Sequence, residues 1–227
     1  IRFKLLMSQY FLEIKKDLEA EITHLWDFNN NSYIFSKSNL FWGSINGKKF
    51  RFYIEINFIK KFFLKNRLIR RALRYDKSNA ILNFKKDGII VIYRSQVYFY
   101  SLKKRNLEHK FELKNCRNLL HNSICVIKKG IFFGEYGSNK SRSAVPIYGS
   151  YDDGRNWETI YQFPRNSIKH IHGIYFDKFT NSLYIPTGDF SEECFIAVAQ
   201  NLNFSKLEII GNGQQKYRCV SMFFKKR

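Results

Sequence analysis

Short runs of aromatic and β-branched residues, each closed by a cluster of Asn, Gly, Asp or Lys, constrain this chain more than any other feature. They are Ser32–Ser36, Asn39–Trp42, Phe50–Ile56, Ile89–Tyr93, Gln96–Tyr100, Ile131–Phe133, Val145–Tyr148, Ile171–Phe176, Leu183–Pro186 and Phe195–Val198. Runs this short cross a sheet but make poor helices, and the residues that close them are those that turns select. Asn46-Gly47, Asp87-Gly88 and Asp153-Gly154 are dipeptides favoured in tight hairpins. Two stretches read less simply. Leu12–Thr23 fits a short helix or a hairpin. Lys60–Tyr75, basic and aliphatic, fits a strand plus connector better than a helix, because the period around it is β. The fold class expected is all-β, as a sandwich, barrel or propeller.

A repeat narrows the choice. The segment Ser150–Trp157, SYDDGRNW, follows one run and precedes another, Glu158–Phe163. A weaker copy occupies Ser44–Phe50, and turns of similar context lie near Ser101–Phe111 and Gln200–Leu207. Ser44, Ser101, Ser150 and Gln200 follow one another at intervals of about 50 residues, a period suited to four-stranded propeller blades. The expectation is about four blades, near 26–60, 77–115, 118–163 and 168–210, in one partial propeller domain over 1–227. The start at Ile1 and a last segment that reads like the beginning of a strand point to a piece of something longer.

Composition bounds the partners. Aromatic residues make up 18% of the chain, which supports strands. The 39 Lys and Arg against 19 Asp and Glu give a net charge of +20, which favours polyanions or an anionic membrane surface. Lys, Asn, Ile and Phe are enriched together, a pattern that biased codon usage also produces, so the charge points only weakly to nucleic acid. No apolar run approaches the roughly 20 residues of a membrane-spanning helix. The opening IRFKLLM is too short for a signal-peptide core, so a cytoplasmic location is expected. Cys116, Cys125, Cys194 and Cys219 show no CxxC spacing, which argues against a zinc ribbon and for buried free thiols. GxGxxG, P-loop and GxSxG motifs are lacking.

Ser150–Trp157 matches the Asp-box pattern Ser-x-Asp-x-Gly-x-Thr/Asn-Trp and so resembles the sialidase-type β-propellers that carry this bacterial neuraminidase repeat. The resemblance implies a structural role for Ser150, Asp152, Gly154 and Trp157, at the hairpin between the third and fourth strands of a blade, away from the ligand face. Asp152 suits acceptance of backbone N–H groups, Gly154 an unusual backbone angle, and Trp157 packing between strands. The stretch from Asn122 to Arg218 is also similar to uncharacterised sialidase-like propellers associated with bacterial surface-polysaccharide gene clusters. The residues that carry this likeness are Gly134-Glu135-Tyr136, His170-Ile171-His172, Thr187-Gly188-Asp189 and Gln215-Lys216-Tyr217-Arg218. It implies recognition or processing of an acidic surface glycan. The Arg-Ile-Pro motif of active sialidases is absent, and of their arginine triad only Arg218 is well placed.

The same residues supply candidate chemistry. His170 and His172, two apart, share one face of a strand and suit a carboxylate ligand or a divalent metal. Glu135 and Asp189 are the carboxylates available for acid–base work. Tyr136 beside Glu135 resembles the nucleophile arrangement of sialidases, although adjacent strand residues point to opposite faces. Gln215 suits sugar hydroxyls, and Arg218 a carboxylate or phosphate. Glu135, His170, His172 and Asp189 are thus the expected catalytic set, with Tyr136, Gln215 and Arg218 binding substrate and no cofactor beyond a divalent metal admitted at the histidines. If the chain is an enzyme, it is a glycoside hydrolase or a metal-dependent polysaccharide lyase. The alternative is a non-catalytic propeller that binds a polyanion or a protein partner, with Arg67, Arg70, Arg71 and Arg74 beside Lys60, Lys61 and Lys65 as a basic cluster. Open blade edges also admit self-association.

Overall fold

The computed structural model describes residues 6–7, 10–11, 20–27, 29–57 and 66–226. Leu6–Met7 (β1) and Tyr10–Phe11 (β2) form a small antiparallel pair. The remaining strands form four separate four-stranded antiparallel sheets, each built from strands consecutive in the chain. The first holds β3 (Ile22–Asp27), β4 (Ser32–Lys37), β5 (Leu40–Ile45) and β6 (Lys48–Tyr53). The second holds β7 (Asn79–Leu82), β8 (Gly88–Tyr93), β9 (Gln96–Ser101) and β10 (Asn106–Glu112). The third holds β11 (Cys125–Ile127), β12 (Gly130–Gly134), β13 (Val145–Ser150) and β14 (Glu158–Phe163). The fourth holds β15 (Tyr175–Asp177), β16 (Ser182–Pro186), β17 (Ile196–Ala199) and β18 (Glu208–Ile210). This is the expected all-β architecture of four-stranded blades.

The sheets stack face to face, and each interface is a core of its own. Ile34, Phe41 and Phe52 of the first sheet pack on Ile89, Val91 and Tyr93 of the second. Ile90, Ile92 and Phe99 turn the other way, onto Ile131 and Phe133 of the third. Phe132 and Ile147 then meet Leu183, Ile185 and Ala197 of the fourth. Residues 89–93 form an unbroken apolar run because both faces of β8 are covered, so the usual alternation disappears. Phe41, Phe52 and Tyr100 make the first interface largely aromatic, with the rings of Phe52 and Tyr100 stacked 4.1 Å apart.

The repeated anchors occupy one structural position. Asn46-Gly47 turns β5 into β6, Ser101 leads from β9 to β10, Ser150 from β13 to β14, and Gln200 from β17 to β18. Each is the turn between the third and fourth strands of its sheet. At Ser150–Trp157 the turn is closed by side chains. Asp152 Oδ1 accepts from the Ser150 hydroxyl (2.9 Å) and from the backbone N–H groups of Arg155 (3.1 Å) and Asn156 (2.8 Å). Gly154 takes φ +93°, and a Cβ there would lie 2.9 Å from Ile90. The Trp157 indole donates to Gly154 O (3.1 Å) and packs near Phe111 and Phe133, between the second and third sheets. Asp153 ties the turn to the second sheet by accepting from Phe84 N and Lys85 N. Asp152→Ala is expected to cost about 1–2 kcal/mol, since a partly exposed carboxylate that satisfies turn N–H groups acts much as a helix cap does. A thermal melt shifted by several degrees is the expected reading. An unchanged melting temperature would mean that the turn closes without its carboxylate.

Three readings of the sequence need correction. Arg67–Ala72 is an α-helix (α1), not a strand with a connector. Asn66 caps it, accepting from Leu68 N and Ile69 N, and the helix-favouring Arg, Leu and Ala that follow override the β context. Arg70 is not part of a solvent-facing basic cluster. It is buried against Glu21 (2.6 Å) and Asp76 (3.2 Å), while Arg67, Arg71 and Arg74 stay exposed. Asp87-Gly88 is not the tip of its hairpin. The turn closes on Asn83, and Gly88 begins β8 where any Cβ would strike the ring of Phe99. Lys60, Lys61, Lys65 and most of Leu12–Thr23 lie outside the described residues, although Ile22 and Thr23 belong to β3.

Candidate functional site

An antiparallel four-stranded sheet sends its entry segment, its second-to-third loop and its exit segment to one end. Its first-to-second and third-to-fourth turns go to the other end. The Ser150–Trp157 turn is therefore at the end opposite the segments that carry the nominated site residues. His170 and His172 enter β15, Asp189 lies in the loop between β16 and β17, Gln215 and Arg218 follow β18, and Glu135 and Tyr136 follow β12.

Six of the seven nominated residues converge. His170 and His172 precede the regular strand rather than lying in it, but extended backbone about the Ile171–Thr187 bridge still sets them on one face. Their Nε2 atoms are 3.2 Å apart, and Asp189 Oδ1 lies 3.5 Å from His170 Nε2 and 3.6 Å from His172 Nε2. Each Nδ1 is held by a backbone carbonyl, Gly137 O for His170 and Cys219 O for His172, both at 2.7 Å. The Tyr136 ring packs on His170, with centroids 4.3 Å apart. Arg218 Nη2 donates to Asp189 Oδ1 (3.0 Å), and Gln215 Nε2 donates to Asp189 O (2.9 Å). Both rings are almost wholly buried, and that burial lowers both imidazole pKa values. Burial works to raise the Asp189 pKa, but hydrogen bonds from Lys169 and Arg218 outweigh it and hold the carboxyl well below the ordinary range.

Gly188 brings Asp189 to this place. It takes φ +73°, its N–H donates to His170 O (3.1 Å), and a Cβ would lie 2.2 Å from Glu193 O. Thr187 closes the loop from inside, its hydroxyl donating to Glu193 O (2.7 Å).

Glu135 does not join the cluster. Its carboxylate, 2% exposed, accepts from Lys114 N (3.0 Å), Asn115 N (3.2 Å) and the Tyr148 hydroxyl (3.0 Å), on the side of the chain opposite Tyr136. It locks the segment after β10 to the third sheet. Several participants lie outside the motifs that the sequence singles out. Lys169 binds Asp189 Oδ2 at 2.7 Å, and Arg142 binds Glu193 Oε1 at 2.7 Å. Phe190, 55% exposed, is flanked by both cations at 5.5 Å. Lys169, next to His170, was the most findable of these. The carbonyls of Gly137 and Cys219 have no side-chain signature.

Among the described residues, His170, His172 and Asp189 form the group able to hold a metal ion, with ligand atoms all within 4.8 Å of one another. A cleft of about 580 Å³, lined by Tyr33, Trp42, Lys49 and Arg51 of the first sheet and by Arg105 from the β9–β10 turn of the second, lies apart from this cluster.

No family model matches the sequence, and no curated protein matches it. Solved structures do resemble it. The WD40 domain of SCAP from fission yeast aligns over 89% of this chain and 47% of its own, at 9% identity and a TM-score of 0.47. The Myceliophteria thermophila Cps50 (Swd1) β-propeller domain aligns over 87% of this chain and 62% of its own, at 8% identity and a TM-score of 0.47. The chain thus spans roughly half to three-fifths of the lengths of these two structures. The architecture itself is that of β-propeller blades, four consecutive four-stranded antiparallel sheets packed face to face. Likenesses this weak assign no function to the chain. No helix among the described residues is long and apolar enough to cross a membrane.

Proposed function

We propose that this chain, taken over 1–227 as one partial propeller domain, is a non-catalytic interaction module whose loop end takes an acidic protein partner. The observation that carries this reading is the fate of the two nominated carboxylates. Glu135 is sealed in the interior with its acceptors occupied, and Asp189 is ion-paired to Lys169 and Arg218. Carboxylate-pair glycoside hydrolysis needs two carboxyl groups facing one substrate bond, and these two do not. The same end offers the exposed Phe190 flanked by Arg142 and Lys169, with the half-exposed Arg218 nearby. An aromatic anchor among arginines is the composition of interface hot spots, and the net charge of +20 favours acidic partners.

Binding to immobilised polyglutamate tests this. The expected result is affinity that falls steeply with salt and drops about tenfold, roughly 1.4 kcal/mol, in Phe190→Ala and in Arg218→Ala. Binding that ignores both substitutions would overturn it.

A second reading rests on the Ser150–Trp157 turn, whose hydrogen bonds agree with those expected of an Asp box. It is a sialidase-like propeller acting on an acidic glycan, with His170 and Asp189 in the site. Turnover of acidic oligosaccharides that is lost in His170→Ala would favour it over the interaction module.

A further inference from the structure

We propose that His170 Nε2, His172 Nε2 and Asp189 Oδ1 form three vertices of a tetrahedral divalent-metal site of the zinc type. The argument begins with the tautomers. Gly137 O and Cys219 O can only accept, so the Nδ1 atom 2.7 Å from each must carry a hydrogen. In a neutral ring this leaves Nε2 with a bare lone pair. Two such lone pairs face each other across 3.2 Å in a buried place, and no protein donor among the described residues stands between them. That arrangement repels unless a cation lies between the nitrogens.

The triangle has the size of a metal face. Ligands about 2.0–2.1 Å from a tetrahedral zinc lie roughly 3.3–3.4 Å from one another, whereas ligands at right angles about an octahedral ion of that bond length lie roughly 3.0 Å apart. The three edges here are 3.2, 3.5 and 3.6 Å. The supporting contacts are also those of a metal centre. Each imidazole is oriented by a carbonyl on its far nitrogen, and Lys169 fixes the far oxygen of the carboxylate. Arg218 shares Oδ1 with the proposed ion, and its side chain, 47% exposed, has room to turn into solvent. Two imidazoles and one carboxylate are a common zinc donor set, and the fourth vertex has no His, Cys, Asp or Glu among the described residues.

The proposal is independent of the partner reading, and its test reads metal directly. Untagged, chelator-treated protein is titrated with Co²⁺ and followed by visible absorption, and Zn²⁺ is then added in competition. The expected result is one Co²⁺ per chain with the intense bands of a four-coordinate ion, displaced by one equivalent of Zn²⁺. His172→Gln and Asp189→Asn should each weaken binding by about a hundredfold or more, while His109→Gln, at an exposed histidine elsewhere, should leave it unchanged. The wild-type spectrum decides the matter even if a variant fails to fold. Absence of stoichiometric binding, the faint spectrum of a six-coordinate ion, or full affinity in both site variants would overturn the assignment.

Discussion

Glu135→Ala is expected to lower the unfolding free energy by about 3–5 kcal/mol and the melting temperature by roughly 10 °C. The carboxylate is 2% exposed and accepts from two backbone N–H groups and one phenol. Burial, reinforced by the nearby Glu135 charge, raises the Tyr148 pKa, so the phenol keeps its proton and remains a donor. Alanine leaves the buried Tyr148 hydroxyl and two part-buried backbone N–H groups without their acceptor, each costing about 1–3 kcal/mol before relaxation, the backbone groups at the lower end because water can reach them. Glu135→Gln keeps the shape but turns one acceptor into a donor that faces another donor, and about 2–3 kcal/mol is expected there. Urea unfolding of both variants checks the series. The partner affinity of the folded fraction should not change. A Glu135→Gln protein of native stability that has lost ligand binding or turnover would restore the residue to a functional site.

Acidification from pH 7 to pH 4.5 is expected to remove about 2–3 kcal/mol of stability through His24 alone. This ring lies between the first and second sheets. Its Nδ1 accepts from Ala80 N (3.2 Å), and its Nε2 is 2.8 Å from the Ser36 hydroxyl. Burial, with His121 adding repulsion, pushes its pKa down to about 3. Between pH 6.5 and 3 the unfolded chain therefore takes up a proton that the folded chain refuses. His24 favours folding fully above about pH 6.5, and that contribution is lost progressively as pH falls towards the folded value. Each pH unit inside this window is worth about 1.4 kcal/mol. Denaturant unfolding of the wild type and His24→Gln at both pH values gives the test, since other titrating groups cancel in the difference. Equal acid losses in the two proteins would show that His24 charges freely in the fold.

The legibility of the fold follows burial. Residues 89–93 and 131–133 stand out in the sequence because neighbouring sheets cover both faces of their strands. The outer strands β10 and β18 escape notice because the first is largely polar and half-exposed, the second is only three residues long, and both are held as strands by pairing with β9 and β17. The helix Arg67–Ala72 was legible in principle from Asn66 as a cap, but one short helix in a β context is outweighed by its surroundings. The candidate site divides the same way. His170 and His172 were paired by their spacing, because any extended backbone puts alternate residues on one face. Nothing in the spacing brings Asp189 or Arg218 to them from separate loops, and nothing sends Glu135 inward while the adjacent Tyr136 meets His170.

By itself the sequence determined the strand-rich class, the interval of about 50 residues between third-to-fourth-strand turns, and the closure of Ser150–Trp157. These are local properties, set by side chains that bond or avoid their own backbone within a few residues. Only the tertiary structure decided that the sheets stack into three separate interfaces, that Arg70 is buried, and that two histidines and one aspartate from separate segments meet at one place. Those facts depend on contacts between residues distant in the chain and on backbone carbonyls such as Gly137 O and Cys219 O. Every residue carries such a carbonyl, so its presence in the sequence distinguishes nothing until the fold aims it.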